Sequence, residues 1–296
     1  MNLLRMIENA RTPFFDTAFG LITRLGEEMI LMVIFCLVFW CINKKTGYII
    51  GIVFFLSALF VQGLKIVFRI DRPWVIDPNF TVVEGAVSEA TGYSFPSGHT
   101  SNAASYLGSL GAIIKQKPFK ALLFGLAILV AFSRMYLGVH TLEDVLVSLV
   151  ITFGFVFLTI KFFDYDKKER VMYLSVFIAT CSVIVIGIAV ALYQMGVTVP
   201  AQLRDSVLAS GAALGFATGM YVERNYIRFS VRAQNLPMQG VKLVLGLAGM
   251  IAIQEGARII GDGLVADGIR YFLMILWPTF AFPLVIKRFF THKEER

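Results

Sequence analysis

Apolar runs long enough to cross a bilayer recur along the whole chain, and no other feature restricts its fold as strongly. A helix needs about 20 apolar residues to traverse roughly 30 Å of hydrocarbon. Runs of that kind occur near residues 28–43, 47–68, 99–114, 119–138, 142–163, 171–195, 205–222, 239–257 and 268–287. With 57% hydrophobic and 16% charged residues among 296, the chain carries more apolar side chain than one soluble core of that length can hide. The runs continue to the end, so a cleaved signal peptide does not explain them. The expected fold is therefore all-α, a polytopic transmembrane helix bundle of about nine spans.

The basic residues follow the runs. The 27 Lys and Arg exceed the 20 Asp and Glu, but they are scattered at span ends, which reads as a topology signal and implies no nucleic-acid partner. In a nine-span chain one side receives Lys44 and Lys45, Lys115 to Lys120, Lys161 to Arg170, Arg224 to Arg232 and the tail with Lys287, Arg288, Lys293 and Arg296. By the positive-inside tendency that side is cytoplasmic. Residues 1–25 mix Phe14, Phe15 and Phe19 with Arg5, Glu8, Arg11 and Asp16, a pattern suited to an amphipathic helix in the interface. Cys36, Cys41 and Cys181 lie inside apolar runs and read as small buried hydrophobes.

Three polar clusters interrupt this pattern. Lys65, Arg69 and Arg72 are spaced to share one helix face, where like charges repel unless an anion sits against them. Alone they also read as snorkelling side chains at a span end. The string from Tyr93 to Ser101 contains Pro96-Ser97-Gly98-His99 at the start of a span. A hydroxyl and free N–H groups at a helix N-terminus suit an anion, though they equally describe a plain N-cap. Ser133 and Arg134 precede His140 and Asp144, whose four-residue spacing on a helix lets the carboxylate fix one imidazole nitrogen and leave the other free to attack. Of three histidines, His292 belongs to the polar tail, whereas His99 and His140 share the outer side with the cationic cluster. Two histidines among cationic and N–H donors are the equipment of phosphoryl transfer.

These residues resemble the type 2 phosphatidic acid phosphatase superfamily. Its signature is a Lys, six residues, Arg-Pro; then Pro-Ser-Gly-His; then Ser-Arg, five residues, His, three residues, Asp. All three blocks are met in order by Lys65 with Arg72-Pro73, by Pro96 to His99, and by Ser133-Arg134 with His140 and Asp144. The resemblance covers roughly residues 47–163. It implies that His140 is a nucleophile forming a phosphohistidine, oriented by Asp144. His99 is implied as the acid for the leaving group and then the base for water. Lys65, Arg72, Ser97, Gly98 and Arg134 are implied to bind phosphoryl oxygens, with no metal and no cofactor. Arg69 stands outside the signature as an auxiliary charge. The chain then divides into an interfacial segment, 1–25, a catalytic core, 26–165, and additional spans, 166–296.

The resemblance implies a membrane-embedded phosphoric ester hydrolase acting on a lipid or polyprenyl phosphate or pyrophosphate. Its site would face the extracytoplasmic side, of the plasma membrane in a bacterium; the oligomeric state is open. Two alternatives stand beside it. One is a phosphatase of a soluble substrate such as a sugar phosphate, because a nine-span layout is similar to the glucose-6-phosphatase branch. The other is a lipid transporter or flippase with a phosphatase-type site. A lateral gap lined by Leu, Val and Phe would favour a lipid; a closed polar well would favour a soluble substrate. Gln254, Glu255, Arg258, Asp262 and Asp267 are further polar candidates, with an internal Glu255–Arg258 pair as the structural explanation. The loop from Trp74 to Tyr93, with Asp77, Glu84 and Glu89, has the length of a lid.

Overall fold

The protein is described by a computed structural model over residues 1–88, 90–233, 235–256, 259 and 261–290. Glu89, Arg258, His292, Lys293 and Arg296, each given a place above, lie outside the described residues. Among the described residues every regular element is helical. They are α1 (Asn2–Asn9), α2 (Pro13–Thr23), α3 (Glu28–Leu37), α4 (Lys44–Phe68), α5 (Pro73–Ile76), α6 (Gly98–Ile113) and α7 (Lys117–Tyr136). Then come α8 (Leu142–Phe162), α9 (Lys168–Gln194), α10 (Pro200–Val222), α11 (Leu236–Gly256), α12 (Leu264–Leu276) and α13 (Phe282–Val285). Short π-helical turns extend α3 to Ile42 and join α12 and α13 into one rod ending at Phe290.

Each of the nine apolar runs forms a helix, but the expected nine spans are not reached. Among the described residues six helical segments are long and apolar enough to cross a membrane: Lys44–Ile76, α7, α8, α9, α11 and Leu264–Phe290. A seventh is counted if Pro13–Gly26 and Glu28–Ile42, bent by 50°, form one broken span. The two runs that fall short are α6 and α10. With 16 residues, α6 is about 24 Å long at 1.5 Å per residue. Length is not the difficulty for α10, which has 23 residues; Arg204, Asp205 and many Gly, Ala and Ser residues dilute its hydropathy.

Position in the bundle explains that dilution. Packed among α4, α9 and α12, α10 is shielded by protein and need not be apolar on all sides. A Cβ placed at Gly211 or Gly215 would lie 2.4 Å from the carbonyl oxygen of Gly268 or Phe272. This small-residue stripe, spaced by four, lets the backbone of α12 approach closely. Ser206 and Ser210 lie inside, and the Ser206 hydroxyl donates back to the Gln202 carbonyl. The outward faces of α7, α8, α9 and α11 expose Leu122, Phe157, Val183 and Val244, the reverse of a soluble protein.

Two features tie the ends of the bundle. Buried Glu223, after α10, holds Lys44 at 2.7 Å and accepts from the Tyr48 hydroxyl, joining the far end of α4 to α10. At the opposite end, the N-terminal segment proves to be built into the protein. Arg5 pairs with Asp77 at 2.5 Å, and Arg11 donates to the carbonyls of Tyr136 and Thr81. Helices α1 and α2 thus pack on α7 and on the 74–93 loop.

Candidate active site

Three helix ends and one loop build the site. Helix α4 ends with Lys65 in its last turn and closes at Arg69 in a left-handed conformation, φ 48°. The chain turns there, so the expected common helical face of Lys65, Arg69 and Arg72 does not exist. Arg69 is exposed and donates to the Ile66 carbonyl of its own helix end, whereas buried Lys65 and Arg72 converge on one cavity. Backbone carbonyls aim both cations. Lys65 Nζ donates to Tyr93 O at 2.7 Å; Arg72 donates to Thr91 O, Gly92 O and Val139 O at 2.6, 3.2 and 3.1 Å.

Helix α6 begins at Gly98 with Ser97 as its N-cap. The Ser97 hydroxyl accepts from the Thr100 N–H at 3.4 Å, and its own N–H donates to the Asp144 carbonyl at 3.2 Å. Ser97 is fully buried and, unlike Gly98 and His99, is not among the cavity-lining residues. A Cβ added to Gly98 would meet nothing within 4 Å. Behind His99, the turn Arg24–Gly26 is fixed on α6 by Asn102 and Tyr106, which donate to Gly26 O and Leu25 O. Gly26 is required there, because its Cβ would lie 2.7 Å from His99 O.

His140 and Asp144 meet differently from the expected helical pair. His140 lies before α8, Thr141 is the N-cap, and Asp144 is the third residue of a capping box, so the pair spans the cap. Asp144 Oδ2 accepts from Ser94 Oγ at 2.5 Å, Thr141 N at 2.8 Å and His140 Nδ1 at 3.2 Å. On the other side of the ring, Arg72 Nη1 is 3.0 Å from His140 Nε2. A guanidinium only donates, so Nε2 is the acceptor and the proton sits on Nδ1. Burial, reinforced by Arg72, Arg134, Lys65 and His99, holds His140 well below the ordinary value of 6.5, keeping the imidazole neutral. Gly138, at φ 84°, makes the turn from α7 that delivers His140. Arg134, buried in the last turn of α7, donates to Thr23 Oγ1 at 2.8 Å and lines the same cavity.

Lys65, Arg72, Gly98, His99, Arg134 and His140 therefore border one cavity of about 660 Å³, with Asp144 behind His140. The sequence reading assigned no role to Ser94, Thr23, or the carbonyls of Thr91 to Tyr93. Ser94 lies within the Tyr93–Ser101 string, but its partner is 50 residues away, and Thr23 has no local signal at all. Described residues of the 74–93 loop are held down on the bundle. Phe80 is buried against Leu4 and Met135, and Val83 N donates to Leu137 O. Asp267 pairs with Arg204 and Arg270, and Gln254 lines the cavity; the expected Glu255–Arg258 pair involves Arg258, which lies outside the described residues.

Comparison with known proteins agrees with the three blocks. The PAP2 superfamily model matches residues 46–168, and a second, for the PAP2 superfamily phosphatase transmembrane extension, matches 207–294. Phosphatidylglycerophosphatase B of Bacillus subtilis (strain 168) is 30% identical over 175 residues, 54% of this chain and 80% of that protein. The crystal structure of Aquifex aeolicus LpxE aligns with a TM-score of 0.48 at 27% identity, over 54% of this chain and 93% of that one. A PAP2-type phosphatidylglycerolphosphate phosphatase structure from Bacillus subtilis gives 0.46 at 25% identity, over 54% and 82%. The matched family regions and the 30% relative establish that this chain is an integral membrane phosphatase of the PAP2 superfamily, carrying that superfamily's transmembrane extension.

Proposed function

We propose that the protein hydrolyses a lipid monophosphate through a phosphohistidine on the extracytoplasmic side of its membrane. One observation carries the lipid reading. The cavity that holds the cations and both histidines also has Glu27, Glu28, Gln62, Asn102, Asp205 and Gln254 among its polar lining, while Met29, Val33, Phe55, Leu208, Met250 and further apolar side chains make up most of the remaining wall. At about 660 Å³ it falls in the range, roughly 300–1,000 Å³, that encloses a whole small ligand, far beyond what a phosphoryl group needs. The phosphate substrate named for the Bacillus relative is compatible with such a site. The soluble-substrate alternative rested on a nine-span layout, whereas six or seven segments among the described residues are long and apolar enough to cross a membrane.

In this reading Lys65, Arg72, Arg134 and the N–H of Gly98 hold the phosphoryl oxygens, with Ser97 fixing the helix entry that presents that N–H. His140 Nε2 attacks phosphorus, the P–O bond to the lipid breaks, and His99 protonates the departing alkoxide. Asp144 stabilises the positive imidazole that results. His99 then takes a proton from water, whose oxygen displaces His140 and yields inorganic phosphate. No step calls on a metal or a cofactor. The Lys- and Arg-bearing helix ends around Lys44, Arg224 and Lys287, opposite Lys65 on α4, support the orientation.

Rapid-quench turnover with ³²P-labelled phosphatidate tests the chemistry: an acid-labile, alkali-stable phosphoenzyme is expected in the wild type and none in His140→Ala. Full turnover by His140→Ala would overturn it. Substrate class is tested with phosphatidate, polyprenyl phosphate, polyprenyl pyrophosphate and a sugar phosphate; preference for the sugar phosphate would refute the lipid reading. Orientation is read from impermeant maleimide on intact cells, with labelling expected for Asn79→Cys and not for Gln116→Cys; the reverse pattern would invert the sidedness.

A further inference from the structure

Four helices present their cavity-lining residues as narrow stripes, and each stripe changes character in the same direction. On α4, Lys65 and Gln62 lie at the cationic end, followed by Ala58 and Phe55. Helix α10 is antiparallel to it, since Gln202 bonds Gln62 at 2.7 Å and Phe216 stacks on Phe55. Its stripe runs from Asp205 to Leu208, Ala209 and Ala212. Helix α11 starts at the far end, where Gln239 bonds Cys41 O, and returns through Leu247, Met250 and Ile251 to Gln254. Helix α12 starts at the near end, where Asp267 pairs with Arg204, and contributes Tyr271, then Met274 and Ile275.

The spacings of three, four and seven residues put each set on one helix face. Polar side chains thus ring the cavity next to the phosphate cradle, and apolar ones line it beyond. Three of these four stripes belong to α10, α11 and α12, beyond the region that matches the PAP2 superfamily model, and their apolar residues fall in the matched extension. The catalytic motifs lie wholly before that extension, so it contributes wall and no motif residue.

We propose that the transmembrane extension is the chain-measuring wall of the active site: Ala209, Met250 and Met274 set how much hydrocarbon of the substrate the cavity accepts. This rests on the lipid reading above. From Gln62 to Phe55 is seven residues, about 10 Å at 1.5 Å per residue. A saturated chain advances roughly 1.3 Å per 1.5 Å tetrahedral bond, so the apolar section takes about eight carbons in extended form. Each methylene transferred from water to such a wall is worth about fourfold in apparent specificity, the factor equivalent to ~0.8 kcal/mol.

The test is a series of n-alkyl phosphates from butyl to dodecyl, below micelle-forming concentration, assayed on full-length protein in detergent. Values of kcat/KM are normalised to butyl phosphate within each variant. In the wild type they should rise about fourfold per carbon and level off near octyl. Met250→Ala, which enlarges the wall, should move the break to longer chains by about two carbons, and Ala209→Phe should move it to shorter chains by a similar amount. A rising wild-type profile whose break is unmoved in Met250→Ala would overturn the role of the extension while leaving the lipid reading in place. A flat wild-type profile would overturn the lipid reading itself. Should Ala209→Phe fail to fold, the Met250→Ala shift decides alone.

Discussion

Replacing Asp144 by asparagine separates the two things a carboxylate can do for His140, namely fix its tautomer and balance its charge. Oδ2 receives three donors, Ser94 Oγ at 2.5 Å, Thr141 N at 2.8 Å and His140 Nδ1 at 3.2 Å. An asparagine must keep its carbonyl oxygen at that point, because the flipped amide would aim N–H groups at a backbone N–H that can only donate. Nδ1–H therefore stays bonded, and the Nε2 lone pair still faces the cradle. What disappears is the charge. Charge-assisted hydrogen bonds are about twice as strong as neutral ones, a difference of roughly 1 kcal/mol here. A full unit charge about 4 Å away at an effective dielectric near 20 interacts by about 4 kcal/mol, so the partial charge on imidazole in the transition state accounts for roughly half of that.

Together these give about 3 kcal/mol, or a fall in kcat of roughly 100- to 200-fold. Loss of the tautomer would instead cost about 10⁴-fold, as in a serine-protease triad. The assay is phosphate release at saturating alkyl phosphate, with phosphoenzyme formation followed by rapid quench. KM should change little, because Asp144 sits behind His140 and does not border the cavity. A loss near 10⁴-fold would refute the claim that its three donors fix Oδ2. A loss below about tenfold would refute the claim that the charge contributes to the transition state.

Three further outcomes follow from the geometry. His140 is held below 6.5, so its neutral fraction is complete at pH 6.5 and is lost only as pH falls through the lower folded value; the acid limb of kcat/KM should lie below 6.5, and a limb above it would contradict the assignment. Gly138→Ala places a side chain at φ 84°, 2.7 Å from Arg11 Nη2; about 1–2 kcal/mol of stability should be lost, seen as a lower melting temperature together with weaker turnover, because His140 is two residues on. Glu223→Ala leaves Lys44 and Tyr48 without their buried acceptor and should cost roughly 3–5 kcal/mol, while kcat of the surviving protein holds, since Lys44 and Lys65 are 21 residues, about 30 Å, apart on α4.

How much of this was readable beforehand depended on the distance over which each constraint acts. The helices were legible because hydrophobic run length is a local property, and the candidate site residues because their three blocks keep fixed local spacings. Conformation within a block was less so. Lys65 and Arg72 do converge, yet through a left-handed turn at Arg69 that a helical projection does not contain. His140 and Asp144 do meet, yet across a cap. The span count is not confirmed at α6 and α10, where burial against protein replaces burial in lipid and hydropathy no longer marks a span. Ser94, Thr23 and the 91–93 carbonyls act across 19 to 111 residues, and no periodicity records such pairings.

Those carbonyls explain how buried cations can be stable and still useful. Lys65 and Arg72 are 5% and 6% exposed, and among the described residues no carboxylate lies within salt-bridge distance of either. An aspartate in place of the Tyr93 or Thr91 carbonyl would have stabilised the empty site more, but it would have neutralised the charge and competed with a phosphoryl group for the same donors. Carbonyl oxygens satisfy hydrogen bonds and fix direction while leaving the positive charge in place. In the proposed reaction the residual desolvation cost is recovered when a phosphate dianion enters, and most fully when charge spreads over its three oxygens in the transition state. Placing three acceptors in the eleven-residue stretch that leads from the loop into Ser101 also couples them to the helix entry at Ser97. Any displacement of that segment would therefore misalign Lys65, Arg72 and the Asp144–Ser94 contact together, and the loop that precedes it is anchored by Phe80, Val83 and the N-terminal arginines.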